Sequence, residues 1–221
     1  VQILAATTAA PMFGTQGNSF AYLQGTSMSS PHIAGMAALF KQSNPNWSPA
    51  QIKSALMTSA RQDVTIDGSA LATPLDFGAG HAAPVAAMTP GLLLDLGVND
   101  YLGFLCGLGE AGFVEQRDVT CEQLENSGYS AVASELNLAS IAVGSLTEPV
   151  TINRYVTNAS NIGSSYVATV EAPAGVDIVV NTFDSEGNLT PTDTLEVDAN
   201  GAAGFSLTLT QNETTEMGKY V

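Results

Sequence analysis

The amino-acid sequence predicts a protein in two parts, an α/β portion followed by an all-β sandwich. Residues 26–60 carry two helical patterns of small and apolar side chains, separated by a polar connection. Residues 149–210 instead contain short segments rich in Val, Ile, Thr and Tyr, which alternate apolar and polar side chains between turns. The net charge of −15 is also uneven, with −1 up to residue 95 and −14 after it. The simplest interpretation is a boundary near residue 95.

Composition excludes several classes of protein. The 221 residues are 45% hydrophobic and 12% charged, as in a folded chain of one or two domains. No apolar run reaches the roughly 20 residues that span a bilayer, so we expect no membrane span. An acidic second half repels phosphate backbones and anionic lipid, so we expect neither nucleic acid nor membrane as a partner. The charge is equally consistent with keeping an exposed, secreted or salt-adapted protein soluble.

The first elements form a strand, a loop and a helix. Residues 1–6 are an apolar strand with no turn before it, so we expect the chain to start inside a longer domain, and residues 14–21 form a polar loop. Thr26 is the predicted N-cap of the helix, which leaves Ser27 as its first residue. Pro31 is tolerated only near a helix start and supports this position. The many small residues that follow predict a thin, buried helix.

The next elements are positioned by local signals. Ser48 is a predicted N-cap, Pro49 fits the first helical position, and Gln51 completes a capping box for a packing helix that ends at about Ala60. Residues 76–81, D-F-G-A-G-H, then predict a tight turn with positive φ at its glycines.

One stretch carries a specific resemblance. Residues 25–32 read G-T-S-M-S-S-P-H and resemble the nucleophile segment of subtilisin-like serine proteases, G-T-S-M-[SA]-x-P-H. The resemblance implies that Ser27 is the acyl-enzyme nucleophile and that its backbone N–H is one oxyanion donor. It also implies that Gly25 and Thr26 shape the turn that exposes Ser27. A polar helix cap is the alternative, but a cap has no need of the Met, the Pro and the small-residue helix together.

The resemblance extends towards the end of the chain. The segments P-G-L-L-L-D and D-Y-L-G-F-L-C, within residues 90–106, are similar to the cucumisin-like branch of the same family. Residues 136–143 and 154–158 resemble the start of its fibronectin-III-like domain, with Ala139 where the family usually has Pro.

These resemblances imply an α/β fold, as a partial subtilisin-like catalytic domain, followed by an all-β fibronectin-III-like sandwich. We expect the chain to be truncated at both ends. The expected domains are 1–95 for the C-terminal part of the catalytic domain, 96–135 for a linker, and 136–221 for the sandwich. Because Val221 follows the last apolar pair without a turn, we expect the final strand to be missing.

A serine nucleophile needs a base, and neither histidine fits that role. His32 lies five residues after Ser27 on the same helix and points away from its start, whereas His81 lies in the glycine turn. In the family the order is Asp, His, Ser, so both partners and the oxyanion Asn are expected upstream of Val1. The resemblance thus implies an extracellular serine endopeptidase that cleaves proteins or peptides and needs no cofactor. The upstream part of the same polypeptide would complete the active site, and this chain alone would be inactive.

The two cysteines form a separate prediction. Cys106 and Cys121 close one loop, which in a secreted protein favours a disulfide, with two unpaired buried thiols as the alternative. No histidine lies nearby in the sequence, so we expect no metal site there.

Two functions from other classes remain open. The chain could belong to a non-catalytic extracellular binding or attachment module of a pseudo-protease, or to a structural cell-surface β-module. The four Asn-x-Ser/Thr sequons are assigned no function; they are at Asn46, Asn158, Asn188 and Asn212.

Overall fold

The structure, a computed structural model, describes residues 2–12, 14, 16–184 and 186–212. The chain divides into two compact units, residues 1–46 and 47–221. The prediction that the final strand is missing concerns residues 213–221, which lie outside the described residues. None of the described helices has both the length and the apolar character needed to cross a membrane.

The first unit is a hairpin followed by a helix. Strands β1 (Ile3–Ala6) and β2 (Phe20–Leu23) pair antiparallel, with Ile3 opposite Leu23. Helix α1 (Thr26–Ser43) follows after two residues and has Phe40 as its only buried residue. Lys41 lies in its last turn, where a positive charge interacts favourably with the helix dipole.

The second unit opens with the predicted capped helix, α2 (Pro49–Thr58). The Ser48 hydroxyl accepts from the Gln51 N–H at 3.0 Å, and the Ser48 N–H donates to Gln51 Oε1 at 3.0 Å. This reciprocal pair confirms the capping box. The buried Ser54 hydroxyl accepts the N–H of Leu94 at 2.9 Å and ties α2 to the segment after β5 (Leu92–Leu93).

Short elements connect α2 to β5: strands β3 (Thr65–Ile66) and β4 (Ala70–Leu71), then helices α3 (Pro74–Phe77) and α4 (Pro84–Ala87). The turn after α3 has the predicted positive φ at Gly78, 62°, and at Gly80, 124°. Arg61 and His81 exchange backbone hydrogen bonds of 2.9 and 2.8 Å beside this turn. A Cβ on Gly80 would lie 2.4 Å from the Arg61 carbonyl oxygen, so the close approach requires glycine.

Three short helices follow, α5 (Val98–Gly107), α6 (Ala111–Glu115) and α7 (Cys121–Asn126), and then a 3₁₀ turn, Ala133–Glu135. Their small core has three buried residues, Leu102, Val114 and Leu124. A disulfide joins Cys106 to Cys121, with a Cα–Cα distance of 5.7 Å, and confirms the predicted bond. It joins α5 to α7 directly against that core.

The remainder forms two antiparallel sheets, which confirms the all-β prediction. The strands are β6 (Val150–Asn158), β7 (Ser164–Val167), β8 (Val176–Phe183), β9 (Leu189–Pro191), β10 (Thr194–Val197) and β11 (Ala202–Gln211). The larger sheet has the order β5-β6-β11-β8-β9, and β10 pairs with β7 in the other. On β6, Ile152, Arg154 and Val156 are buried whereas Tyr155 between them is 59% exposed, as expected for period-two alternation.

Candidate active site

The turn into α1 depends on Gly25. Gly25 is the N-cap and has φ 137° and ψ 175°, a conformation that strains any residue with a Cβ. The prediction that Thr26 caps the helix is therefore wrong, because Thr26 is already the first helical residue and no side chain caps this end. The backbone of Gly25 acts in place of a cap side chain: its carbonyl accepts from the N–H groups of Met28 at 3.0 Å and Ser29 at 3.3 Å.

Ser27 lies at the exposed beginning of α1. Its side chain is solvent-accessible, and its hydroxyl has no hydrogen-bond partner among the described residues. Its backbone N–H precedes the first amides that bond to Gly25, so it belongs to the donors that a helix leaves without an internal acceptor. No acidic residue occupies the first turn, so the positive end of the helix dipole is not neutralised locally. An exposed hydroxyl beside a free N–H at this end suits attack on a carbonyl followed by oxyanion binding.

Pro31 lies inside α1, four residues after Ser27. Since proline has no N–H, the Ser27 carbonyl cannot receive the usual hydrogen bond from the next turn. The Ser27 carbonyl therefore lacks the i+4 hydrogen bond of a regular helix.

Neither histidine was predicted to act as the base, and each makes other contacts in the structure. The imidazole Nδ1–H of His32 donates to the carbonyl of Met28 at 2.6 Å, along its own helix. His81 pairs through its backbone with Arg61 in the other unit. Arg61 in turn binds the carboxylate of Asp63 at 2.6 Å, and this hydrogen bond lowers the pKa of Asp63.

Burial of α1 was predicted wrongly. Ile33 and Leu39 are 41% and 62% exposed. The physical reason is the small size of the first unit. Its single hairpin cannot cover α1, which is apolar on most of its surface.

Comparison with known proteins places this geometry in context. Residues 6–89 match the sequence profile of the subtilase family, and residues 135–221 match that of a fibronectin type-III domain. Subtilisin-like protease SBT3.2 of Arabidopsis thaliana is 42% identical over 193 residues, covering 81% of this chain and 25% of the relative. Subtilisin-like protease SBT2.5 of the same plant is 41% identical over 179 residues, covering 75% of this chain and 22% of the relative.

The chain belongs to the subtilase family. It spans about a quarter of the length of the curated relatives that it matches. The subtilase match contains all of α1, including Ser27, and the fibronectin match begins at the 3₁₀ turn before β6.

Asn137 lies in the fibronectin-like segment and has a structural role that the sequence did not indicate. Its side-chain amide donates to the carbonyls of Asp95 at 3.1 Å and Tyr155 at 2.8 Å. Its Oδ1 accepts the N–H of Tyr155 at 2.9 Å. This one side chain extends the hydrogen bonding of β6 as a strand would, and it joins Asp95, which follows β5, to β6.

Proposed function

We propose that Ser27 is the nucleophile of a serine peptidase that cleaves proteins or peptides. The main support is the placement of Ser27 at the free, positive end of α1, with an unpaired hydroxyl and an N–H that lacks a helical acceptor. The family match and the relatives named as subtilisin-like proteases support the same reaction class.

In the proposed reaction the Ser27 Oγ attacks the scissile carbonyl carbon while a base accepts the hydroxyl proton. The carbonyl oxygen becomes an oxyanion, which the Ser27 N–H and the helix end stabilise. Collapse of this intermediate breaks the C–N bond, and the protonated amine leaves with the base's proton. Water then hydrolyses the ester on Ser27 and regenerates the hydroxyl.

We do not propose His32 as the base, because its Nδ1–H donates to the Met28 carbonyl and no hydrogen bond joins its imidazole to the Ser27 hydroxyl among the described residues. We therefore propose that a preceding segment of the same polypeptide supplies the His, the Asp and the oxyanion Asn. The chain of 221 residues alone is then inactive. Domain limits at residues 95 and 135 and an extracellular location are part of this proposal.

A fluorophosphonate probe tests the nucleophile directly. In the full-length polypeptide we expect covalent labelling at Ser27, which Ser27→Ala abolishes and the matched exposed variant Ser30→Ala retains. Unlabelled but folded full-length protein would instead favour the attachment module of a pseudo-protease.

Peptidase assays provide the second test. Full-length protein should hydrolyse casein, whereas the 221-residue chain should not. In subtilisin itself, loss of the serine or the histidine lowers kcat by about 10⁶, and we carry that measured figure over to Ser27→Ala. Hydrolysis by the 221-residue chain that Ser27→Ala removes would contradict the need for further residues.

A further inference from the structure

A cavity of about 390 Å³ lies within the second unit. Strands β6 and β11 form one wall, and the segment after the 3₁₀ turn forms another. Nine of the twelve residues around it are apolar, among them Leu92, Leu138, Ala139 and Phe205. This size and character are those of small-molecule sites, which enclose roughly 300–1,000 Å³ with few polar groups.

Arg154 is the charged member of this lining and is only 2% exposed. Its guanidinium donates to four backbone carbonyls, those of Leu138 at 2.9 Å, Ser134 at 2.9 Å, Asn153 at 2.7 Å and Ser140 at 3.4 Å. These bonds use four of the five N–H groups of arginine, and the longest is made by Nη2. The fifth N–H, also on Nη2, has no partner among the described residues.

The charge of Arg154 is not matched by an ion pair within the described part of the chain. Glu135 is the acid that acts on it, but this carboxylate accepts from the N–H and the side-chain amide of Asn153 at 3.3 and 3.2 Å. Burial lowers the pKa of the guanidinium, which nonetheless stays charged, since arginine does not deprotonate in proteins. A positive charge therefore borders the apolar cavity.

Tyr166 adds a second donor. This half-buried residue lines the cavity, and its hydroxyl has no hydrogen-bond partner among the residues that the structure describes. The cavity thus offers a cation and a phenol with unused donors, surrounded by aliphatic and aromatic walls.

We propose that this cavity binds an aliphatic carboxylate of medium chain length, a fatty acid of about ten carbons. The carboxylate would accept from Arg154 Nη2 and the Tyr166 hydroxyl, and the alkyl chain would fill the apolar space. At about 30 Å³ per water-sized group, 390 Å³ holds roughly a dozen heavy atoms. A peptide is disfavoured, because its buried amides would find few partners on these walls.

Isothermal titration of the 221-residue chain tests the proposal with decanoate, decanol and decyltrimethylammonium. We expect decanoate to bind at least tenfold more tightly than decanol, and the cation to bind more weakly than either. Tyr166→Phe should weaken decanoate about threefold or more and leave decanol unchanged. The matched control Tyr155→Phe, on the opposite face of the sheet, should change neither.

Ala139 provides a variant that blocks the cavity without removing the charge. Ala139→Leu should lower decanoate affinity at least tenfold, whereas the size-matched Ala139→Ser should not. Equal affinity for decanoate and decanol would overturn the anion preference, and an unaffected Ala139→Leu variant would place binding elsewhere. Absence of saturable binding by a folded chain, or equal competition by an apolar tripeptide, would overturn the fatty-acid assignment.

Discussion

Two glycines in turns allow the cost of a strained backbone to be compared with the cost of a steric clash. Gly68, in the β3–β4 turn, has φ 75° and open space where a Cβ would lie. Gly80 has φ 124° and would place a Cβ 2.4 Å from the Arg61 carbonyl oxygen. The two positions share a positive φ and differ in the closeness of the neighbouring backbone.

Alanine substitution should therefore affect the two glycines unequally. Gly68→Ala should cost about 1 kcal/mol, because only the left-handed conformation is penalised. Gly80→Ala should cost about 3 kcal/mol, since strain and a backbone clash are combined. Urea unfolding of the two variants measures the difference, and equal midpoints would show that the Arg61–His81 pairing yields easily.

The start of α1 shows where residue-level prediction succeeds and fails. The G-T-S sequence predicted a serine at the helix start, and Ser27 lies there. The sequence could not show that Gly25, through φ 137°, ends the turn without any side-chain cap. A Thr beside a helix start is a common cap, and only the glycine dihedral distinguishes the two arrangements.

At the scale of elements, helices α5 to α7 depend on a small core and one covalent bond. Three buried residues, Leu102, Val114 and Leu124, form that core, and the disulfide packs against it. Cys106 and Cys121 are 15 residues apart. By the chain-entropy model a loop of this size is stabilised by about 3 kcal/mol.

Reduction of the disulfide should loosen this helical segment selectively. We expect faster amide exchange in α5 and α7 on reduction, with β6 and β11 unchanged as an internal control. The double variant Cys106→Ser with Cys121→Ser should exchange like the reduced protein and no longer respond to reductant. Equal protection in both redox states would show that the apolar core alone holds the helices.

Elements with local signals were predictable, and those set by distant contacts were not. The Ser48 capping box and the alternation on β6 and at the start of β8 depend on neighbouring residues, so the sequence contains them. The alternation predicted for β11 is wrong, because Ser206 is the buried residue of that strand. The short strand β10 pairs with β7 only after the chain has returned, and nothing local marks it. The Asn137 bonds and the Arg154 cavity likewise join segments that are far apart in sequence, which periodicity cannot show.

At the scale of the whole molecule, the large negative charge affects the stability of the folded state. The net charge is −15, and the ion pair found in the described part of the chain, Arg61–Asp63, is exposed on both sides. Exposed pairs of this kind stabilise little. Mutual repulsion of carboxylates therefore opposes the compact state at neutral pH and low salt.

Three aspartates stabilise the folded state when they are ionised, and this stabilisation is lost in acid. Hydrogen bonds from Arg61, from the Thr73 N–H and from the Asn188 N–H lower the pKa of Asp63, Asp76 and Asp184, respectively, below the ordinary value of 3.8. A depressed folded pKa gives stability that is present above 3.8 and is lost as the pH falls through the lower folded value. Acid destabilisation should thus begin below about pH 4.

Thermal unfolding of the 221-residue chain across pH, at low and high salt, tests both effects together. At low salt Tm should rise from pH 7 to about pH 4.5, because the net negative charge falls as the pH approaches the sequence pI of about 4.1, and it should fall below about pH 3.8. Sodium chloride at about 0.5 M should raise Tm at pH 7, because it screens repulsion between surface charges, and have little effect near pH 4.5. The variants Asp63→Asn and Asp184→Asn should each weaken the decline below pH 3.8. A Tm that is independent of salt at pH 7 would mean that the acidic surface is spread widely enough for repulsion to be negligible.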